Sequence, residues 1–447
     1  VFPAAPTHPN PLLRFVRGDY VDRVACDAAF ERMHRRDAVG DRLHLALACV
    51  GMFLVVGPVT VTELAFAPMA VFFFVRVANT APVWIHGFGQ PFVLAGLALA
   101  AWAGVTLLWS PDPAGGVDEI TRLRWILLAG LVYPVIERRR TLILALALGF
   151  LAAGVAQQLS RLDALRPPFA PRHPGRVSGW WDPVVAGSMQ CAAAGLFLPA
   201  ALRGVGKDRW IGLTGLAIAL AGVLSSGTRG AWIAAMILLA VAGPFALRHA
   251  ERGARRTALG AAAAGVLVLA GVAFVQRDGL TLRLEQARSE LAQAANGRLD
   301  TDTGARVGVM GLSLESGLTH PWGLGVGGLA PAAAARFGEA HRAAGMSHAH
   351  STPLHLLGVL GVPGLAIGVL AAWALLRSGA AASPREPARA LEAGVPYAVA
   401  GLLLAGLFDA VHLNTQTAAL LGVLGALSPA YLVRPSNAAP PVQTPAA

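Results

Sequence analysis

Apolar runs of membrane length recur along most of the chain, separated by short polar stretches. A helix that crosses a bilayer needs roughly 17 to 25 mostly apolar residues. Read with that window, the first runs are Leu43 to Val59, Thr62 to Val77, Phe92 to Trp109, Leu123 to Ile136, Leu142 to Leu159 and Val184 to Leu202. Trp210 to Leu224, Ala231 to Leu247, Thr257 to Val275, Pro353 to Leu376, Val395 to Phe408 and Thr415 to Val433 follow. The pattern predicts an all-α, polytopic integral membrane protein with about twelve transmembrane helices. Several runs are short and must borrow flanking residues. The expected order is an N-terminal segment (1–42), nine spans (43–275), a long polar loop with its own short helices (276–352), three spans (353–433) and a tail (434–447).

Composition narrows the class further. Of 447 residues, 55% are hydrophobic and only 14% charged, with a mean hydropathy of +0.57. A globular chain carries about a quarter charged residues. An ordinary soluble enzyme, a disordered chain and a secreted disulfide scaffold are therefore excluded. Cys26, Cys49 and Cys191 are far apart, so neither a disulfide framework nor a zinc site is expected. The first forty residues, with Arg32, Arg35 and Arg36, are too charged for a cleavable signal peptide.

Charge then orients the spans. Lys+Arg is 36 against 25 Asp+Glu, and Lys207 is the single lysine. If the N-terminus is cytoplasmic, the basic segments Glu137 to Arg140, Arg203 to Arg209, Arg248 to Arg256 and Arg377 to Arg389 all fall inside. Both termini are then cytoplasmic. The outer loops nevertheless carry arginine: Arg161, Arg166, Arg172 and Arg176 in one, Arg229 in the next, and Arg277, Arg283, Arg288, Arg298, Arg306, Arg336 and Arg342 in the longest. Arginine there opposes the insertion rule. Single residues can be read as snorkelling to lipid phosphates; the convergent set favours a phosphate site, since guanidinium forks suit phosphate oxygens.

The long loop predicts a polar helix over Leu280 to Ala295, stopped by Asn296-Gly297, and a second over Ala305 to Leu318 with Arg306 near its positive end. The glycine-rich stretch Thr319 to Gly328 implies backbone packed closely on protein or substrate. Ser347-His348-Ala349-His350-Ser351 then leads directly into a span.

Four motifs in this order carry a family resemblance. Leu224 to Ala234, LSSGTRGAWIA, resembles the Ser-x-Arg-Gly element of the O-antigen ligase and polymerase superfamily. Gly304-Ala305-Arg306, His320-Pro321 and Gly325-Val326-Gly327 are similar to its outer-loop pattern. His350-Ser351, nine residues, then Gly361-Val362-Pro363-Gly364 resembles its histidine stretch ending in Gly-x-x-Gly. Arg176-Val177-Ser178-Gly179 before Asp182-Pro183 resembles another element. The likeness covers Arg176 to Leu376. It departs from the family at Ser351, often Asn, and at Val359, where many members have Glu; Asp409 is a substitute carboxylate outside the motif.

The resemblance implies a glycosyltransferase of lipopolysaccharide assembly in the bacterial inner membrane. It would move an O-antigen glycan from undecaprenyl pyrophosphate to the lipid A core at the periplasmic face, inverting and without a metal or other cofactor. An O-antigen polymerase or a protein O-oligosaccharyltransferase would use the same donor. A lipid-linked glycan transporter is the rival of another class, but transporters place polar groups near the midplane, and here the spans are nearly free of charge. Expected partners are the lipid-linked donor, the lipid A-core acceptor and membrane lipids, with no nucleic acid.

The residues suggest the same chemistry. Negative charge grows on a departing pyrophosphate, and Arg176, Arg229 and Arg306 are the candidates to bind it. His350 is the candidate base, with an ordinary pKa of about 6.5. His348 competes with it, separated only by the spacing to Gly361. His320 and Asp409 are secondary candidates. Asp300-Thr301-Asp302 has the form of a metal-binding Asp-x-Asp, but is read mainly as the start of the following helix.

Overall fold

The computed structural model describes residues 23–160, 175–248 and 277–428, together with residues 162, 271 and 274. Among these the chain is helical and has no β-strand. In order come α1 (Arg23–Arg36), α2 (Ala38–Leu54), α3 (Val59–Leu64), α4 (Ala67–Val75), α5 (Val77–Phe88) and α6 (Pro91–Thr106). Next are α7 (Pro113–Arg122), α8 (Leu128–Val132), α9 (Arg139–Leu159), α10 (Pro183–Arg203), α11 (Gly206–Ser225) and α12 (Arg229–Arg248). The long polar loop supplies α13 (Arg277–Ala295), α14 (Asp302–Thr319) and α15 (Leu329–Phe337). The chain closes with α16 (Thr352–Ala381), α17 (Val395–Ala405) and α18 (Thr415–Ala426).

Among the described residues six stretches are long and apolar enough to cross a membrane, or seven if one bent pair counts as a span. The expected twelve are not all distinct, and the reasons are physical. The run Thr62 to Val77 is broken: Val59–Val75 and Val77–Phe88 meet at 115°. Arg76 sits at the bend, buried, 2.6 Å from both Asp37 and Asp41. A buried cation with two carboxylates marks the end of an apolar passage, not its middle. The runs Leu123 to Ile136 and Leu142 to Leu159 belong to one 47-residue helical stretch, Pro113–Leu159. Tight 3-10 turns at Leu123–Leu127 and Tyr133–Arg138 divide it. The runs α17 and α18 are only 11 and 12 residues long as helices. The run Thr257 to Val275 lies almost wholly outside the described residues.

Helix α10 is the axis. Its apolar window is 94% buried, against 33–50% for the other five candidate spans. Alanine and glycine fill its middle, so α11, α12 and α17 can approach its backbone closely. The connections sort into two ends. At one, Arg139 donates to Leu427 O at 2.7 Å, Arg140 meets Asp208 at 3.1 Å, and Arg203 donates to Pro384 O at 3.0 Å. The basic segments around 137–140, 203–209 and 377–389 thus share one end, as their charge suggested. The glycine-rich stretch and the turn of His348 and His350 lie at the other.

The long helix α16 is interrupted at Gly361, whose φ of 70° and ψ of −168° suit only glycine. A break inside an apolar bundle strips carbonyls and amides of their helical partners, and they must be paired by other protein groups. The glycine-rich stretch does this. Leu324 N donates to Gly358 O and Gly325 N to Val359 O, each at 3.0 Å, and Val362 N donates to Pro321 O at 2.8 Å. Trp102 Nε1 donates to Leu360 O at 2.8 Å. The glycines therefore pack on protein, one of the two alternatives left open by the sequence. Gly361→Ala should lower the melting temperature of the purified protein markedly. Its Cβ would lie 2.2 Å from Pro321 O, and the backbone strain alone costs on the order of 1–3 kcal/mol. Gly311→Ala, where a Cβ meets nothing within 4 Å, is the control and should be neutral or slightly stabilising. Equal melting temperatures for both variants would refute this account of the break.

A histidine–aspartate cluster as candidate active site

The turn before α16 brings two histidines together. His350 has a φ of 50°, the one non-glycine residue in the left-handed region among the described residues. Such a conformation is costly and is held by its surroundings. It places the His348 and His350 rings 4.3 Å apart, centre to centre. Asp409, in the turn after α17, lies between them: its Oδ1 is 3.6 Å from His350 Nδ1 and 3.7 Å from His348 Nε2. Thr352, the first residue of α16, locks the two turns together. Its amide donates to Gly406 O at 2.7 Å and its hydroxyl to Asp409 O at 3.0 Å, while Val411 N donates to that hydroxyl at 3.2 Å.

The electrostatics follow from this geometry. Burial pushes His350 below the ordinary imidazole value; Asp409 opposes this, and the neighbouring His348 and Arg306 add to it. The imidazole is therefore neutral at neutral pH. Burial alone would raise the Asp409 carboxyl, but the two imidazoles beside it win and hold it well below the usual carboxylate range. An ionised, buried aspartate facing Nδ1 favours the tautomer with its proton there, leaving His350 Nε2 free to accept one.

The arginines divide into different roles. Arg306, half-buried on the first turns of α14, has no carboxylate or hydrogen-bond partner among the described residues, yet is close enough to depress His350. Asp302, four residues before it, is taken by Arg342. Arg229, at the start of α12, lies 3.5 Å from Glu290 of α13 and donates to Thr303 Oγ1 at 3.3 Å. Arg176 is engaged by the turn before α12: it donates to Ser226 O and Thr228 Oγ1, both at 2.8 Å. It thereby fixes the approach to Arg229. His320 is exposed and ends α14, its Nδ1 2.9 Å from Thr319 Oγ1; no contact among the described residues joins it to the cluster.

Thr301 caps α14, its hydroxyl accepting from Gly304 N at 3.0 Å, as the reading of Asp300-Thr301-Asp302 as a helix start expected. The helix begins at Asp302, three residues before the expected Ala305, because that cap lies upstream. Sequence reasoning missed Glu290. A glutamate on a polar helix is usually solvated, and nothing in its spacing pointed to Arg229.

Residues 214–369 match a family model described as O-antigen ligase. The match supports membership of the O-antigen ligase/polymerase superfamily. No curated protein matches the chain. The matched segment contains Arg229, Arg306, His348, His350 and the Gly361 break, and it ends before Asp409. The carboxylate of the cluster thus comes from outside the matched segment.

The ligand atoms of His348, His350 and Asp409 lie within 4.8 Å of one another, a spacing that a cation also fits. The expectation of metal-free transfer is open to a direct check. Transfer activity should survive EDTA, and Asp300→Ala with Asp302→Ala should retain most of it. Loss on chelation that Mg²⁺, Mn²⁺ or Zn²⁺ restores would assign a cation to the reaction.

Proposed function

We propose that this protein is an O-antigen ligase: an inverting, metal-independent glycosyltransferase of the bacterial inner membrane, with its site facing the periplasm. The donor is a glycan on undecaprenyl pyrophosphate and the acceptor a sugar hydroxyl of the lipid A core. The observation that carries this reading is a neutral, aspartate-oriented His350 within electrostatic reach of Arg306, which has no partner among the described residues, at one end of an apolar bundle. The acceptor oxygen attacks the anomeric carbon as the bond to the pyrophosphate oxygen breaks. The bonding pair leaves with the pyrophosphate, and His350 Nε2 takes the hydroxyl proton. Arg306 and Arg229 receive the growing negative charge, and a preorganised donor of this kind accelerates transfer by about 10²–10³-fold. Arg176 supports Arg229 from the neighbouring turn. The basic segments at the opposite end favour a cytoplasmic placement for it.

His350→Ala should lower turnover by about 10²–10⁴-fold with little change in donor binding. Arg306→Ala should weaken both, and Arg306→Lys should rescue poorly because a point charge does not reproduce a two-pronged contact. His348→Ala should be milder. The assay offers purified protein a lipid-linked glycan with rough lipopolysaccharide, or with a second lipid-linked unit alone; elongation in the second arm would reassign it as a polymerase. Near wild-type transfer by folded His350→Ala protein would sink the mechanism.

The acid side of the pH–rate profile tests the electrostatics. Because the His350 pKa is lowered, the base stays neutral below 6.5, the ordinary imidazole value, and turnover should fall only at more acid pH. A fall beginning above neutrality would contradict the burial of His350 as the controlling influence.

A further inference from the structure

The turn before α16 and the turn after α17 bring three metal-ligating side chains to one point. One ligand atom from each of His348, His350 and Asp409 lies within 4.8 Å of the other two. Asp409 Oδ1 stands 3.6 Å from His350 Nδ1 and 3.7 Å from His348 Nε2. Both gaps exceed the roughly 2.7–3.2 Å of a good hydrogen bond. Donors on a tetrahedral zinc ion, each about 2.0–2.2 Å from the metal, stand roughly 3.3–3.6 Å apart. The gaps at Asp409 are therefore close to the edges of a coordination shell. The backbone holds the set together. The left-handed conformation of His350 sets its ring 4.3 Å from that of His348, and the Thr352 hydroxyl holds the Asp409 carbonyl. His348, with 32% of its side chain exposed, has room to close the third edge and opens the site to solvent. Ser347 Oγ lies 3.4 Å from His348 Nδ1. A proton on that nitrogen therefore has an acceptor while Nε2 holds an ion, the usual support of a metal-bound imidazole. Arg306, which acts on His350, is the charge that opposes a cation here.

We propose that His348, His350 and Asp409 form a zinc site whose occupation switches transfer off. The shut-off rests on the reading of His350 as base; the site itself does not. Two imidazoles and one carboxylate match zinc in donor type and number, and leave a fourth position for water. Magnesium prefers oxygen donors in an octahedral shell and does not compete. Repulsion from Arg306 places the affinity for zinc in the micromolar range rather than below it. Zinc takes the lone pair of His350 Nδ1. A neutral imidazole carries one proton, which must then sit on Nε2. The nitrogen that takes the acceptor's proton is thereby filled, and the ring no longer acts as a base. The ring gains and loses no proton; its proton moves from Nδ1 to Nε2. His348 serves as the ligand that completes the site, not as a second base.

The test uses the untagged full chain in lipid nanodiscs, with Zn²⁺ titrated by calorimetry and Co²⁺ as a coloured probe. Wild-type protein should bind one Zn²⁺ at micromolar concentration that the His348→Ala and Asp409→Asn variants do not bind. Co²⁺ should give a visible absorption band that Zn²⁺ displaces and both variants lack. Micromolar Zn²⁺ should stop transfer by wild-type protein and EDTA should restore it, while Mg²⁺ at the same concentration has no effect. His348→Ala keeps part of its transfer rate. Its half-inhibitory Zn²⁺ concentration should rise by at least about tenfold, since even an outer-shell change costs a metal site about 10–100-fold in affinity. Zinc captured by the donor pyrophosphate would inhibit both proteins alike. Equal Zn²⁺ binding by wild-type and His348→Ala protein of normal melting temperature, or equal inhibition of both, overturns the site. Zinc held at the cluster while transfer runs at full rate would overturn His350 as base, and the shut-off with it.

Discussion

An unpaired backbone group in apolar surroundings is costly, and that constraint organises the end of this molecule that holds His348 and His350. The break of α16 at Gly361 leaves backbone groups that another segment must pair, with Trp102 Nε1 taking Leu360 O. The stretch from Pro321 to Val326 answers them, and Ser110 Oγ donates to Val326 O at 2.5 Å to hold that stretch against the α6–α7 connection. Once it is fixed, the helix before it and the helix after it have little freedom. Arg306 on α14 and the histidine turn before α16 are thereby set in register, although 44 residues separate Arg306 from His350.

A second constraint sits within the cluster itself. A buried carboxylate requires cationic or hydrogen-bonding company. Asp409 has two imidazoles beside it and backbone locked to Thr352, so its position and that of His350 are mutually determined. Burial keeps the histidine neutral while the aspartate stays ionised. The same groups that stabilise the turn thus set the protonation state that a base needs. The opposite end uses the same physics for anchoring alone: the Arg139 guanidinium donates to Leu427 O, Ala382 O and Glu392 O, tying α9 to the chain around α16–α18.

Much of this was legible along the chain. Apolar runs marked α6, α9, α10, α11, α12 and α16 closely, because crossing a bilayer demands length and low charge whatever the neighbours are. Basic segments revealed which connections share an end. Short motifs led to Arg229, Arg306 and His350, and Asp409 was reached only as a substitute for the carboxylate missing at Val359. The same window failed at Thr62 to Val77. Hydropathy averages over a buried Arg76 whose partners, Asp37 and Asp41, are 39 and 35 residues away.

The sequence by itself determined the class of molecule, the membrane-length helices and the residue types that could handle phosphate and protons, since these depend on local length, polarity and chemistry. Tertiary structure alone decided which of those residues meet. Arg176 is taken up by the turn at Ser226 and Thr228, Arg229 by Glu290, and Arg306 by no partner among the described residues. His350 meets Asp409 across 59 residues of chain, and His355 meets Glu119 across 236. Partners at such separations leave no periodic trace, because their proximity is set by how helices pack around α10 and by which backbone group can pair a broken helix.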